Sequence, residues 1–376
     1  MTRKIPLFKL NYDKNEEQAV LETIRSKWIS TGPKSRQMED YFSDKIGSKY
    51  CLTLTNCTSA LHVALLVAGV GEGDEVLVPS LSFVATANVV KYTGATPVFC
   101  DITGNQDLTI DPLEIEKKIT DKTRAIIPMH YGGFGANMEK INTIAHKNNL
   151  MVVEDASHAP MATYKGKHLG TIGDIGCFSF YSNKNISVGE GGMLVTDSRD
   201  FYERAKLLRS HGMTSLAYNR KDGNNTYDVI ELGYNYRMDD IRASLGLVQM
   251  KKLSASIQKL QEIRSYYVEK LQTIDRIEIP FKNYQGISTN YIFPIVLENS
   301  TAEKRDQVRA FLKENGIQTS VHYPAIHEFS IYSQQNAQLP KTEYVARNEI
   351  TLPMFTTLEK AEIDYIAEKL QEALCQ

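Results

Sequence analysis

Lys184 stands in Phe178-Ser-Phe-Tyr-Ser-Asn-Lys184-Asn-Ile-Ser-Val-Gly-Glu-Gly-Gly192, between a β-like run (Cys177 to Tyr181) and a glycine turn. That is the end of a strand on an irregular loop, where chemistry sits more often than in strand interiors. A lysine amine adds to carbonyl groups as a Schiff base once its surroundings favour the neutral form. Upstream, Met151-Val-Val-Glu-Asp155 is an apolar run ending in a carboxylate, followed by Ala-Ser-His158. A buried carboxylate is costly unless it meets a cation or several donors, and a protonated pyridine nitrogen is such a cation. A Schiff-base lysine and an acid for a pyridinium nitrogen are what pyridoxal 5'-phosphate requires of a protein. Taken alone, Lys184 is one more solvated surface charge; its neighbours reverse that reading.

Further residues fit the same cofactor. Asn56-Cys57-Thr58-Ser59-Ala60-Leu61-His62 follows an apolar run and opens an apolar helix. Thr58 and Ser59 thus put hydroxyls at the unpaired N–H groups and positive dipole end of that helix, where a phosphate fits. A plain Ser/Thr helix cap explains them equally well. Ser179 offers another hydroxyl to the phosphate, or else simply faces a neighbouring strand. Phe83, after the run Glu75–Pro79, has the ring to stack on a pyridine, or is core. His158 either bonds the cofactor's phenolic oxygen or is a core histidine satisfied by backbone. Gly189-Glu-Gly-Gly192 lacks the spacing and lysine of a nucleotide-binding loop and precedes a strand, so it is expected to be a tight turn shaping the backbone around Lys184.

Seven short apolar runs must position these groups: Cys51–Thr55, Glu75–Pro79, Pro97–Asp101, Ala125–Met129, Met151–Asp155, Cys177–Tyr181 and Met193–Thr196. Several lack polar alternation, as strands buried on both faces do. Separated by helical stretches, they predict an α/β fold with a largely parallel seven-stranded sheet. Ligands gather beyond the carboxyl ends of such strands, where Asn56, Asp155 and Lys184 all fall. From Met238 to about Leu271 the apolar spacing turns helical. The Asp239/Asp240 pair suits the start of that helix. Pro280 then introduces a smaller unit, with strands expected near Tyr291–Val296 and Gln318–Tyr323 and helices near Ala302–Asn315 and Leu358–Ala373. Residues 1–255 are therefore expected to form a large cofactor-binding domain and 256–376 a small C-terminal α/β domain, divided inside a helix. Asn219–Thr226 has the composition of a mobile surface loop.

Composition narrows the function further. The 376 residues are 42% hydrophobic and 23% charged, enough for a sizeable core. A formal net charge of −2 argues against general affinity for nucleic acid or anionic membrane. Neither a signal-peptide core nor a run of roughly 18 apolar residues is present. Five scattered cysteines without metal spacing point to reduced core residues of a cytoplasmic protein with no metal site.

Set in order, these motifs resemble the DegT/DnrJ/StrS-type sugar aminotransferases, fold-type I pyridoxal-phosphate enzymes. The resemblance runs from Trp28-Ile-Ser-Thr-Gly-Pro33 to His322-Tyr-Pro324. It implies that Lys184 is the Schiff-base lysine and proton-shuttling base, and that Asp155 pairs with the pyridine nitrogen. His158 takes a cofactor-contact position where relatives carry glutamine or histidine. Thr58, Ser59 and Ser179 would hold the phosphate, and Asn235 would reach it from the neighbouring subunit of a homodimer. Arg237 either meets a substrate anion or makes an ordinary surface ion pair. Cys57 departs from the glycine or serine of many relatives, at little expected cost because backbone N–H groups hold the phosphate there. Some members replace the lysine with histidine and dehydrate sugars instead; this chain keeps Lys184. The tail Gly-Glu-Gly-Gly-Met resembles members aminating a 4-keto sugar more than those aminating a 3-keto sugar. The expected reaction moves an amino group from L-glutamate to a nucleotide-linked keto sugar. Thr31, His322, Tyr323 and His327 are the candidate acceptor pocket, although each histidine is equally suited to a structural loop.

Overall fold

The computed structural model describes residues 4–214 and 227–375; the stretch Asn219–Thr226, expected as a surface loop, lies outside them. Each of the seven apolar runs contributes one strand of a single sheet: β1 (Tyr50–Leu54), β2 (Glu75–Pro79), β3 (Thr96–Cys100), β4 (Thr123–Ile126), β5 (Met151–Asp155), β6 (Ile175–Ser179) and β7 (Gly192–Thr196). Their order across the sheet is β1-β7-β6-β5-β4-β2-β3. Neighbours from β6 to β3 pair in parallel, and β7 alone runs against β1 and β6. Helices cover both faces, which is why Val76, Leu77 and Val78 are all buried without alternation. Burying each such side chain contributes about 1.5–3 kcal/mol. A charge at Leu77 would meet no partner in that layer.

Two helices aim the chain at the carboxyl edge of the sheet. Cys57–Val67 is apolar on nearly every side and lies in the main core, so its axis is held by packing all round. Its start is set by Asn56, whose side chain accepts from the Ser59 N–H at 2.8 Å. Asp240–Leu271 is capped by Asp239, whose carboxylate accepts from the Arg242 N–H at 2.9 Å. Its 32 residues extend roughly 48 Å at 1.5 Å each. Met250, Leu253 and Ile257 pack in one core, whereas Leu260, Ile263, Tyr267 and Leu271 pack in another. One rigid rod thus serves both units. Two segments cross between them. Ile5 joins the second core and bridges to Ile317, and Ile326, Tyr332 and Leu339 return to the first.

The second unit holds the sheet β8 (Ile277–Glu278), β9 (Phe293–Leu297) and β10 (Glu349–Leu352), in that order and antiparallel. Helices Ala302–Glu314 and Lys360–Cys375 cover it. The strand expected near Gln318–Tyr323 does not form. Just before it Ile317 bridges Ile5, and the run itself makes a single bridge, Ser320 with Thr351. Its next ladder position is taken by a side chain, because the His322 N–H donates to Glu349 Oε2 at 2.8 Å. The third strand is instead Glu349–Leu352, which follows helix Pro340–Asn348 without a turn and so carries no strand punctuation. No helix among the described residues is long and apolar enough to cross a membrane.

Candidate active site

A cavity of about 510 Å³ opens where β1, β5 and β6 end, closed from the far side by residues of the second unit. Asp155, the last residue of β5, forms part of its lining and is almost fully buried. Its Oδ2 accepts from the Thr86 hydroxyl at 2.8 Å, and its Oδ1 from the Ser157 N–H at 3.2 Å. Thr86 is itself paired with Ser82 at 2.7 Å. The carboxylate is thereby fixed in direction and keeps lone pairs for a ligand.

Lys184 comes from the loop after β6, where its N–H donates to Tyr181 O at 2.9 Å. Its Nζ lies 4.1 Å from the centre of the Tyr291 ring. Burial lowers its pKa from 10.5 to about 7, and the Asp155 charge only partly opposes this. A substantial neutral fraction near pH 7 is the condition for a nucleophilic amine.

The phosphate seat lies beside them. Ser59 gives both its N–H and its hydroxyl to Asn56 Oδ1, each at 2.8 Å. The hydroxyl expected at the phosphate therefore serves the helix cap, and Ser59 does not line the cavity. Thr58 and Ser179 do line it, together with Cys57. The first N–H groups of a helix lack intrahelical partners. With that of Ser59 taken, those of Cys57 and Thr58 remain at the cavity. Gly192 is what brings the backbone so close: a Cβ there would meet Asn56 C and O at 2.4 Å and Cys57 N at 2.6 Å.

Opposite this seat, Tyr291, His322 and Tyr323 come from the second unit. His158 reaches them from the loop after β5. Its Nδ1 accepts from the Gly132 N–H at 3.2 Å, and its Nε2 lies 3.0 Å from Tyr323 Oη. Burial holds its pKa well below 6.5, and the charges of Lys184 and His322 lower it further. Burial likewise takes His322 down to about 3. Its Nδ1 pairs with Thr351 Oγ1 at 2.8 Å. Glu349 beneath is raised by burial to about 8. Phe83 is 58% exposed and lines the cavity, so it is a wall residue and not core.

Besides Ser59, four expected residues stay outside this lining in the single chain. The Thr31 hydroxyl donates to Met238 O at 2.6 Å. Asn235 is exposed, in a bridge with Ser210. Arg237 keeps a buried Nη1 without a hydrogen-bond partner among the described residues, its pKa lowered by burial and then by Arg209. His327 is sealed between Ser80, at 2.7 Å from its Nδ1, and Glu343, at 3.4 Å from its Nε2. That trio has the atoms of a hydrolytic triad, yet Ser80 is fully buried, so His327 is a packing residue and not a pocket residue. Sequence reasoning missed Thr86, Tyr291, Asn183 and Glu190. Thr86 had a signal, three residues beyond Phe83 on the same sheet edge; Tyr291 had none.

The donor set suits pyridoxal phosphate. A carboxylate with free lone pairs, a lysine of lowered pKa and an open helix N-terminus share one cavity, and the cradle at Gly192 excludes any side chain.

Comparison with known proteins bears on this geometry. The family model described as the DegT/DnrJ/EryC1/StrS aminotransferase family matches residues 11–371. The chain is 36% identical to the spore coat polysaccharide biosynthesis protein SpsC of Bacillus subtilis, covering 96% of this chain and 94% of SpsC. It is 37% identical to GDP-perosamine synthase of Escherichia coli O157:H7, covering 98% of each. Among solved structures, the putative sugar aminotransferase Spr1654 of Streptococcus pneumoniae superposes with a TM-score of 0.93 at 30% identity, over 99% of this chain and 98% of that one. The same protein has been solved in PLP and PMP forms, each at a TM-score of 0.92. Helicobacter pylori PseC, an aminotransferase of pseudoaminic acid biosynthesis, gives 0.92 at 30% identity over 99% of both chains.

Proposed function

The chain belongs to the DegT/DnrJ/EryC1/StrS aminotransferase family, and on that premise we propose that it moves an amino group from L-glutamate to carbon 4 of a nucleotide-linked 6-deoxyhexose. It is a pyridoxal-phosphate-dependent sugar aminotransferase. The observation that carries the amino-transfer chemistry is Lys184 and Asp155 on one cavity beside the open end of helix Cys57–Val67.

Asp155 would hold the pyridine nitrogen, Phe83 the ring, and Thr58, Ser179 and the first N–H groups of the helix the phosphate. When bound, the cofactor supplies an electron sink for the carbon from which a proton is removed. Lys184 Nζ would hold the cofactor and serve as the base. A pKa of about 7 lets it take that proton and return it at neutral pH. Asp155, fixed by Thr86 and Ser157, would keep a positive charge on the pyridine nitrogen. Tyr291, its ring 4.1 Å from Nζ, limits water around the amine.

On the acceptor side, His322 and Tyr323 would supply a ring and polar tips for a sugar. A nucleotide-linked substrate draws support from the GDP-perosamine synthase of E. coli. The Gly-Glu-Gly-Gly-Met tail is the motive for carbon 4. Both half-reactions would share the cavity, so ping-pong kinetics follow. The assay offers 4-keto and 3-keto nucleotide sugars side by side with glutamate; amination at carbon 3 alone would reject the carbon-4 assignment. A homodimer belongs to the same reading. Thr31, Asn235 and Arg237, absent from their own chain's cavity, would serve the partner's, and light scattering that showed an active monomer would end it. A cytoplasmic setting accords with four buried free cysteines.

A further inference from the structure

His158 and Tyr323 touch across the junction of the two units, and the geometry decides which of them gives the proton. His158 Nδ1 accepts from the Gly132 N–H at 3.2 Å. A nitrogen that accepts carries no hydrogen, so the neutral ring bears its proton on Nε2. Tyr323 Oη lies 3.0 Å from that nitrogen and is therefore the acceptor of the bond. The phenol's own hydrogen stays free. No other described residue hydrogen-bonds Tyr323 Oη, while the side chain lines the cavity with Lys184 and Asp155.

We propose that Gly132, His158 and Tyr323 form a one-way hydrogen-bond relay that makes Tyr323 a fixed donor to an oxygen acceptor bound in the cavity. This rests on the cofactor and sugar reading above and deepens it. Burial raises the phenol's pKa well above 10, so the hydrogen is retained. Burial also keeps the imidazole neutral, so the tautomer holds. The relay reassigns a role as well. His158 was expected to bond the cofactor's phenolic oxygen directly, but its one hydrogen is engaged by Tyr323. The oxygen offered to the cavity is Tyr323's. With one acceptor site filled by His158 and its hydrogen free, the phenol favours an oxygen with an exposed lone pair, such as the cofactor's phenolic oxygen or the sugar's keto oxygen, over a hydroxyl seeking an acceptor.

The experiment loads wild type, Tyr323→Phe, His158→Leu and His158→Gln with pyridoxal phosphate. It follows the bound chromophore's absorbance against pH, and the single-turnover rates of the glutamate and keto-sugar half-reactions. If Tyr323 donates to the cofactor, Tyr323→Phe moves the chromophore's midpoint up by about one pH unit, the scale of one bond to a charged oxygen. If it donates to the keto oxygen, the midpoint holds and only the sugar half-reaction slows, by about a hundredfold. His158→Leu, which leaves Tyr323 in place should the phenylalanine variant misfold, reproduces part of either change. His158→Gln, with an amide N–H for Oη, recovers much of it. The relay is overturned if Tyr323→Phe matches wild type in both readouts, or if His158→Leu does. Failure of the aminotransferase reading would look different, since wild type itself would form no chromophore that glutamate bleaches.

Discussion

Glu154 and Asp155 follow each other at the end of β5, and the alternation of a strand sends them to opposite faces of the sheet. Glu154 is fully buried. Its Oε2 takes the Gly170 N–H and His130 Nε2, each at 2.8 Å, and its Oε1 takes the N–H groups of Ile172 at 2.6 Å and Gly173 at 2.5 Å. A carboxylate accepts at about four sites, so nothing is left over. Asp155 has two donors and an open cavity. The saturated acid pins the loop Gly170–Gly173 to the sheet, and the unsaturated one waits for a ligand. Burial alone does not separate a structural carboxylate from a functional one; the count of donors does.

Experiments can press on that contrast. The largest effect is expected on the cavity side, where Lys184→Ala should cut turnover at least about 10⁴-fold. Borohydride followed by peptide mapping should label Lys184 in the wild type, and a label on another lysine would reject the assignment. Asp155→Asn should slow the reaction about a thousandfold, or about 4 kcal/mol, with urea midpoints near wild type. On the other face the pattern should invert. Glu154→Gln should lower folding stability by about 3 kcal/mol in urea titration, while the protein that remains folded keeps its kcat. A Glu154 variant that lost turnover at full stability would dissolve the distinction.

The next effect is a pH dependence. Attachment of pyridoxal phosphate to apo-protein needs neutral Lys184, so below its pKa of about 7 the rate should fall about tenfold per pH unit and level off above. A midpoint near 10.5 would mean that the amine is not desolvated. The linked stability has a definite sign. The unfolded chain keeps this proton to about 10.5, so apo-protein stability should rise between pH 7 and 10.5 on account of this group. The smallest effect tests the sealed trio. Ser80→Ala should cost about 1 kcal/mol in urea titration and leave kcat unchanged, whereas a drop in kcat would return His327 to the active site.

Much of this contrast was legible before folding. All seven central strands appear as apolar runs, because strands covered on both faces need no polar alternation. Lys184, Asp155 and the turn at Asn56 were placed on one sheet edge by strand direction alone. The loop ends were harder. Ser59 and Thr58 are adjacent hydroxyls with the same helix-start chemistry, and only Asn56's rotamer shows which serves the cap. Glu349–Leu352 was missed because it follows a helix directly, and Gln318–Tyr323 was expected as a strand because nothing in its residues reveals that Glu349 takes the His322 N–H.

Chain order sufficed for the sheet, the helix starts and the lysine and acid at strand ends, because periodicity, capping and strand polarity act among near neighbours. Which carboxylate is saturated was left to the fold, since the partners of Glu154 come from His130 and Gly170–Gly173 while that of Asp155 comes from Thr86. So was the far wall of the cavity, where Tyr291, His322 and Tyr323 arrive from more than a hundred residues downstream of Lys184 on the other end of helix Asp240–Leu271. Hydrogen-bond saturation and desolvation depend on groups close in space, and no spacing along the chain encodes which distant side chain will fill the last lone pair.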